Sequence, residues 1–98
     1  MIVTTTPSVE GRMIRQYLGI VGGAGMLIAE FKWGIAAQDT ESEKTLEGAR
    51  QQAVRALAAR AEALGADAVV GVSFDWEQIT ARSVVLATGT AVALSALK

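Results

Sequence analysis

LGADAVVGVSFDW, residues Leu64 to Trp76, is the stretch whose reading decides the fold. Ala66, Ala68, Val70, Val72, Phe74 and Trp76 are all apolar and recur at every second position. Their alternates are Asp67, Val69, Gly71, Ser73, Asp75 and Glu77. A period of two sends side chains to opposite faces of a strand. The segment therefore predicts a strand that lays its even residues against a covering helix.

That helix precedes it. In DTESEKTLEGARQQAVRALAARAEALG (Asp39–Gly65), Leu46, Ala49, Ala53, Leu57, Ala61 and Leu64 make a stripe at steps of three and four. Thr40 and Glu43 have capping-box spacing, and Glu41 and Glu43 bring negative charge to the first turn. Gly65 supplies a left-handed stop.

Two further long strands flank this unit. RMIRQYLGIVGGA (Arg12–Ala24) reads as the first, with Ile14, Leu18 and Ile20 on one face and Met13, Tyr17 and Val21 on the other. RSVVLATGTAVAL (Arg82–Leu94), after a turn near Thr80 and Ala81, reads as the third. Thr4 to Thr6 form a short edge strand that ends at Pro7, which lacks a ladder donor. Ala24 to Gln38 fits either a short helix or an apolar loop. The class is α+β. A β-α-β-β subunit places a three-stranded antiparallel sheet, order 1-3-2, under one long helix, because the helix returns the chain so that the first two strands run parallel.

A sheet with one covering helix has a second face, which normally reads polar. On the third strand Val84, Leu86, Val92 and Leu94 share one face, while Ser83, Val85, Ala87, Gly89, Ala91 and Ala93 make a small, nearly apolar one. The small face is expected to meet another subunit, with Val85, Ala87, Gly89, Ala91 and Ala93 permitting close approach. The alternative is a monomer in which Ala24 to Ile35 folds across that face.

Composition narrows the chemistry. The 98 residues, read as a single domain over 1–98, contain no cysteine and no histidine. That removes thiolate chemistry, the usual general base and the commonest nitrogen ligand. Nine basic and ten acidic residues are scattered, so the basic stripe of a nucleic-acid binder is missing. The most apolar window, AGMLIAEFKWGIAA, is interrupted by Glu30, Lys32 and Gly34, and falls short of the roughly 20 residues that span a bilayer. The opening MIVTTTPSVEGR lacks the pattern of a secretory signal. The expectation is a cytoplasmic protein without nucleic-acid or membrane partners.

Candidate sites are few. Asp75 and Glu77 project from one strand face together with Asp67, and Glu10 lies in the N-terminal turn. Glu10, Asp75 and Glu77 could hold a hard divalent cation at a subunit junction, since only oxygen ligands remain; the competing reading is solvated or interface charge paired with Arg12, Arg15 or Arg82. No resident cofactor is expected. GIVGGAG (Gly19–Gly25) fails both the dinucleotide and the P-loop patterns, and such glycines more often mark a bulge or a close backbone contact. Arg50 falls within the helix's core-facing stripe, so it either extends past the sheet edge or pairs with Glu10, Asp75 or Glu77 of a neighbour. The hydroxyls at Thr4 to Thr6, Ser73, Ser83, Thr88 and Thr90 have no histidine to activate them, so no catalytic residue is assigned and a non-enzymatic role is expected.

Four separated motifs occur in a telling order: TTP with EG (Thr5–Pro7, Glu10, Gly11), LGADAVVGV (Leu64–Val72), DWE (Asp75–Glu77) and GTAV (Gly89–Val92). With LEGAR (Leu46–Arg50), they make the chain resemble the YbjQ-like family, small bacterial and archaeal proteins labelled heavy-metal-binding domains. The resemblance implies a dodecin-like subunit and a homopentameric ring, with no established activity. MLIAEFKWGIAAQDTESEK (Met26–Lys44) departs from the longer, more polar connection of such proteins. That shortened connection and the Ala/Arg-rich helix would also suit a designed or engineered assembly partner.

Overall fold

A computed structural model describes residues 1–28, 39–79 and 82–96. In chain order the elements are β1 (Ile2–Val3), β2 (Ile14–Ile28), α1 (Asp39–Ala63), β3 (Ala68–Ile79) and β4 (Arg82–Leu94). One sheet of order β1-β3-β4-β2 carries α1 on one face. Its three long strands are antiparallel neighbours in the expected order, with β4 inserted between β2 and β3. The edge strand is Ile2–Val3, parallel to β3, rather than Thr4–Thr6. The threonines still continue the ladder: Thr4 donates its N–H to Val69, and Gly71 and Val72 donate theirs to Thr6 and Thr4. Ala24 to Ile28 prolong β2 instead of forming a helix or loop. Residues 29–38, the turn at Thr80 and Ala81, and the side chains of Thr40 and Glu43 lie outside the described residues.

The C-terminus of α1 closes as its sequence dictates. Gly65 takes φ +79°, its N–H donates to Glu62 O, and the N–H of Ala66 donates to Ala61 O. This pair of bonds is the Schellman arrangement, which satisfies carbonyls that the helix end would otherwise leave open. Leu64, expected in the buried stripe, lies past the helix and is half exposed.

Helix and sheet approach unusually closely, and glycine is the reason. A Cβ added at Gly23 would run into the backbone of Ala53 and Leu57, and one added at Gly25 would run into the backbone of Ala49. Two strand glycines and the helix alanines Ala49, Ala53 and Ala61 thus replace the usual layer of large side chains. Leu57, Val21, Val69, Val72, Val85, Ala87 and Ala91 complete this core.

Two bulges decide which residues reach it. Gly71, at φ +62°, sits in a register shift between Val70 and Ser73, so Val69 and Val72 both face α1 while Ala68 and Val70 face away. The expectation that all even residues of β3 contact the helix therefore fails at Ala68 and Val70, although it holds for Val72. Gly89 lies opposite this bulge, where a Cβ would come within 2.6 Å of Val69 Cγ1 and 3.0 Å of Val72 Cγ2. Gly19, at φ +134°, accompanies a second shift after Tyr17. It puts Leu18 on the helix side with Val21, and sends Ile20 to the opposite face in line with Thr90 and Val70.

The assignment of the small β4 face is thereby inverted. Val85, Ala87, Gly89 and Ala91 lie beneath α1 within the same subunit, and Ala93 is buried as well. Gly89 among them leaves room for the Val69 and Val72 side chains of the β3 bulge. The other face, away from the helix, holds Ala68, Val70, Val92 and Leu94, which Val9 and Ile14 cover at one end only.

Gly25→Ala should destabilise the fold by about 3 kcal/mol, because the overpacked atom meets backbone that cannot rotate aside. Gly48→Ala, at a helical position with open space around its Cβ, should instead stabilise it by about 0.5–1 kcal/mol. Urea denaturation midpoints of the two variants check both signs.

Candidate functional site

The sheet face opposite α1 is left partly uncovered. Direct cross-strand partners share a face, so its rows read Ile20–Thr90–Val70, Gly22–Thr88–Ser73, Ala24–Leu86–Asp75 and Met26–Val84–Glu77. Ile20 is 81% exposed, Tyr17 70%, Met26 46% and Leu86 37%. Sequence reasoning missed Ile20, Met26 and Leu86 as surface residues. The signal that could have found them is glycine inside a strand pattern, at Gly19 and Gly71, where alternation breaks.

The two lateral edges of the sheet differ. Along the outer edge of β2, Arg60 Nη1 donates to Gly22 O at 2.6 Å, and Gln52 Oε1 accepts the Met26 N–H at 3.4 Å. Side chains from α1 therefore occupy backbone groups that would otherwise await another strand. The glycine run Gly19–Gly25 serves as a bulge and as the floor for α1, with no phosphate cradle in its geometry.

The carboxylates do not converge. Asp75 and Glu77 are exposed on the open face, in rows with Leu86 and Val84. Asp67 does not share their face, because the Gly71 bulge intervenes; its Oδ2 accepts the Leu94 N–H at 2.8 Å and closes the strand end. Glu10 follows Val9, which packs against the cluster of Ala68, Val70, Val92 and Leu94, and Asp75 and Glu77 stand five and seven residues beyond Val70. At about 3.3 Å per residue that is roughly 16 to 23 Å. Among the described residues, no group of three or more His, Cys, Asp or Glu side chains is placed to hold a metal ion.

Arg50 is exposed rather than buried in the core, and its partner within the chain is Glu47 rather than Glu10, Asp75 or Glu77. Its Nη1 bonds Glu47 Oε2 at 3.0 Å, and its guanidinium lies 5.8 Å from the Phe74 ring centroid. α1 lies over β2 and β4 and barely touches β3, and the helix face that carries Arg50 also bears a shallow hollow lined by Glu47, Arg50, Gln51, Val54 and Arg55. Trp76 follows Phe74 on the same strand face and is 60% exposed. Arg12 is engaged elsewhere, with its Nε donating to Ser95 O at 2.9 Å. Among the described residues no polar or charged side chain is buried, so Ser73, Thr88 and Thr90 have no sequestered partner to activate them.

These features define a two-layer α+β fold with one finished face and one open one, and with no converging ligand set among the described residues. Residues 1–95 match the family model described as "Putative heavy-metal-binding". A UPF0145 protein of Anoxybacillus flavithermus (strain DSM 21510 / WK1) is 40% identical over 103 residues, spanning 96% of this chain and 98% of its own. The crystal structure of a protein of unknown function in the DUF74 family, from Pediococcus pentosaceus ATCC 25745, superposes with a TM-score of 0.70 at 20% identity. That alignment covers 97% of this chain and 98% of the other, and at this identity it speaks for the fold alone. The chain belongs to the YbjQ-like family.

The family description and the donor atoms disagree. Soft and borderline metals select thiolate and imidazole ligands, and the sequence holds neither cysteine nor histidine. Thioethers are its sole sulfur donors, and Met13 and Met26 bracket nearly the whole length of β2. Titration with cadmium should accordingly give no stoichiometric binding in calorimetry. Saturable uptake of one ion per subunit would contradict this assessment of the ligands.

Proposed function

We propose that the chain is a non-enzymatic assembly subunit that closes with copies of itself into a ring, the homopentamer that its family resemblance implies. The observation that carries this is surface. The subunit exposes 7065 Å², whereas a folded monomer of 10.2 kDa exposes about 5,300 Å². Its Cα radius of gyration is 16.3 Å, against about 12.6 Å for a compact chain of this length. The excess of about 1,700 Å² resembles what two standard interfaces take from one subunit. Among the exposed large apolar residues, Tyr17, Ile20, Met26 and Leu86 share the sheet face opposite α1.

A hard divalent cation shared between subunits is the second reading, and Asp75 with Glu77 supports it. The two carboxylates stand two residues apart on one strand face, so a third oxygen ligand, Glu10 among the candidates, would come from a neighbouring copy. Assembly is the primary reading because it accounts for the exposed apolar residues, which a cation site leaves unexplained.

Ile20→Glu places a charge on the open face without touching the core, since Ile20 is already solvent-exposed in the chain. Sedimentation velocity should find this variant folded and shifted to the monomer at concentrations where the parent chain is assembled. An unchanged sedimentation coefficient would count against the open face as an assembly surface.

A further inference from the structure

The two outer strands of the sheet end differently. Along β2, Arg60 and Gln52 of α1 occupy backbone groups of Gly22 and Met26. Along β3 the N-terminal segment closes only the first part of the edge. β1 pairs with Ala68 and Val69, and the carbonyls of Thr4 and Thr6 accept the N–H groups of Val72 and Gly71. Beyond Val72, none of the described residues pairs with the outer side of β3, which runs on to Ile79. Every residue from Ser73 to Gln78 is exposed.

Which groups this edge offers follows from the ladder. Val72 directs its N–H away from β4, toward Thr4. Past the Gly71 bulge the pairing with β4 is regular, from Ser73↔Thr88 to Ile79↔Arg82. Backbone groups alternate sides along an antiparallel ladder, so Phe74, Trp76 and Gln78 turn their N–H and C=O outward. Such a row is a template for an added strand.

The side chains select the strand. On the helix side stand Phe74 and Trp76, both exposed, and on the other side stand Asp75 and Glu77. The same edge of a second copy would bring its own carboxylates beside these on one face, and like charges across a ladder are destabilising. Lysine or arginine at alternate positions of an added strand matches Asp75 and Glu77. Apolar residues at the intervening positions continue the Phe74–Trp76 row.

We propose that the outer edge of β3, from Ser73 to Gln78, binds an extended peptide segment of a partner protein in which basic residues alternate with apolar ones. The segment adds a strand to the sheet beside Phe74, Trp76 and Gln78. This edge is distinct from the sheet face that carries Ile20, and the proposal does not depend on how many copies assemble.

A blocked synthetic peptide that alternates lysine with valine tests it. Calorimetry at physiological ionic strength should show saturable binding of one such peptide per chain. A glutamate–valine counterpart should bind about tenfold more weakly or not at all, and Asp75→Lys with Glu77→Lys should reverse that preference. In the complex, amide hydrogen exchange at Phe74, Trp76 and Gln78 should slow by about tenfold or more. N-methylating the peptide amides should abolish binding, because the ladder then loses its donors while the charges remain. No saturable binding, binding that survives N-methylation, or a preference unmoved by the charge reversal would each overturn the proposal. A fall in particle mass on adding the peptide would assign this edge to a second copy and overturn it equally.

Discussion

The contact of the α1 backbone with the glycine floor of β2 is the constraint from which the rest of the subunit follows. A helix normally stands about 10 Å from a sheet because side chains separate them. Here Gly23 and Gly25 remove those side chains from the strand, and Ala49 and Ala53 keep the helix side equally thin. The helix is thereby drawn toward β2, which lies at the sheet's edge. Once there, it can reach around that edge with Arg60 and Gln52; it still covers Val69 and Val72 of β3 but leaves Phe74 and Trp76 exposed.

Bulk excluded from the thin core has to go elsewhere. The helix-facing positions of β4 are Val85, Ala87, Gly89 and Ala91, whereas the opposite positions are Val84, Leu86, Val92 and Leu94. The N-terminal segment covers Val92 and Leu94 through Val9 and Ile14, but Leu86 and its neighbours on β2 stay open. The same shift of the helix exposes Phe74 and Trp76 on the other side of the sheet. An open face and an exposed end of β3 are two consequences of one close approach, and both leave apolar side chains at the surface.

Much of the architecture was legible in the sequence because it rests on periodicity. The α1 stripe from Leu46 to Ala61, the Gly65 stop and the long strands each repeat a local rule, and the strand order follows from connection geometry. Face assignment was not legible, since alternation carries no sign: a period of two separates the faces without naming the one that a helix will cover. The natural expectation gives the helix the bulkier set, and the glycine floor reverses it. The bulges at Gly19 and Gly71 then exchange faces partway along two strands, so Ala68 and Val70 part from Val72, and Asp67 parts from Asp75. The carboxylates Glu10, Asp75 and Glu77 could be singled out by residue type, but their separation within one subunit depends on that bulge and on where the N-terminal turn packs. Arg50 was placed by the helical wheel in the core-facing stripe, whereas it lies exposed, paired with Glu47 and over Phe74, because α1 is shifted toward β2.

Membership in the YbjQ-like family accounts for the fold, and the chain's own residues argue for a structural role over a heavy-metal site. The central claim is that a single subunit is incomplete. Native mass spectrometry of the purified protein under mild ionic conditions tests it most directly. A single species at five times the chain mass is the expected result. A clean monomer persisting up to high protein concentration would contradict the account, because about 1,700 Å² of surface beyond that of a compact folded monomer would then have no partner.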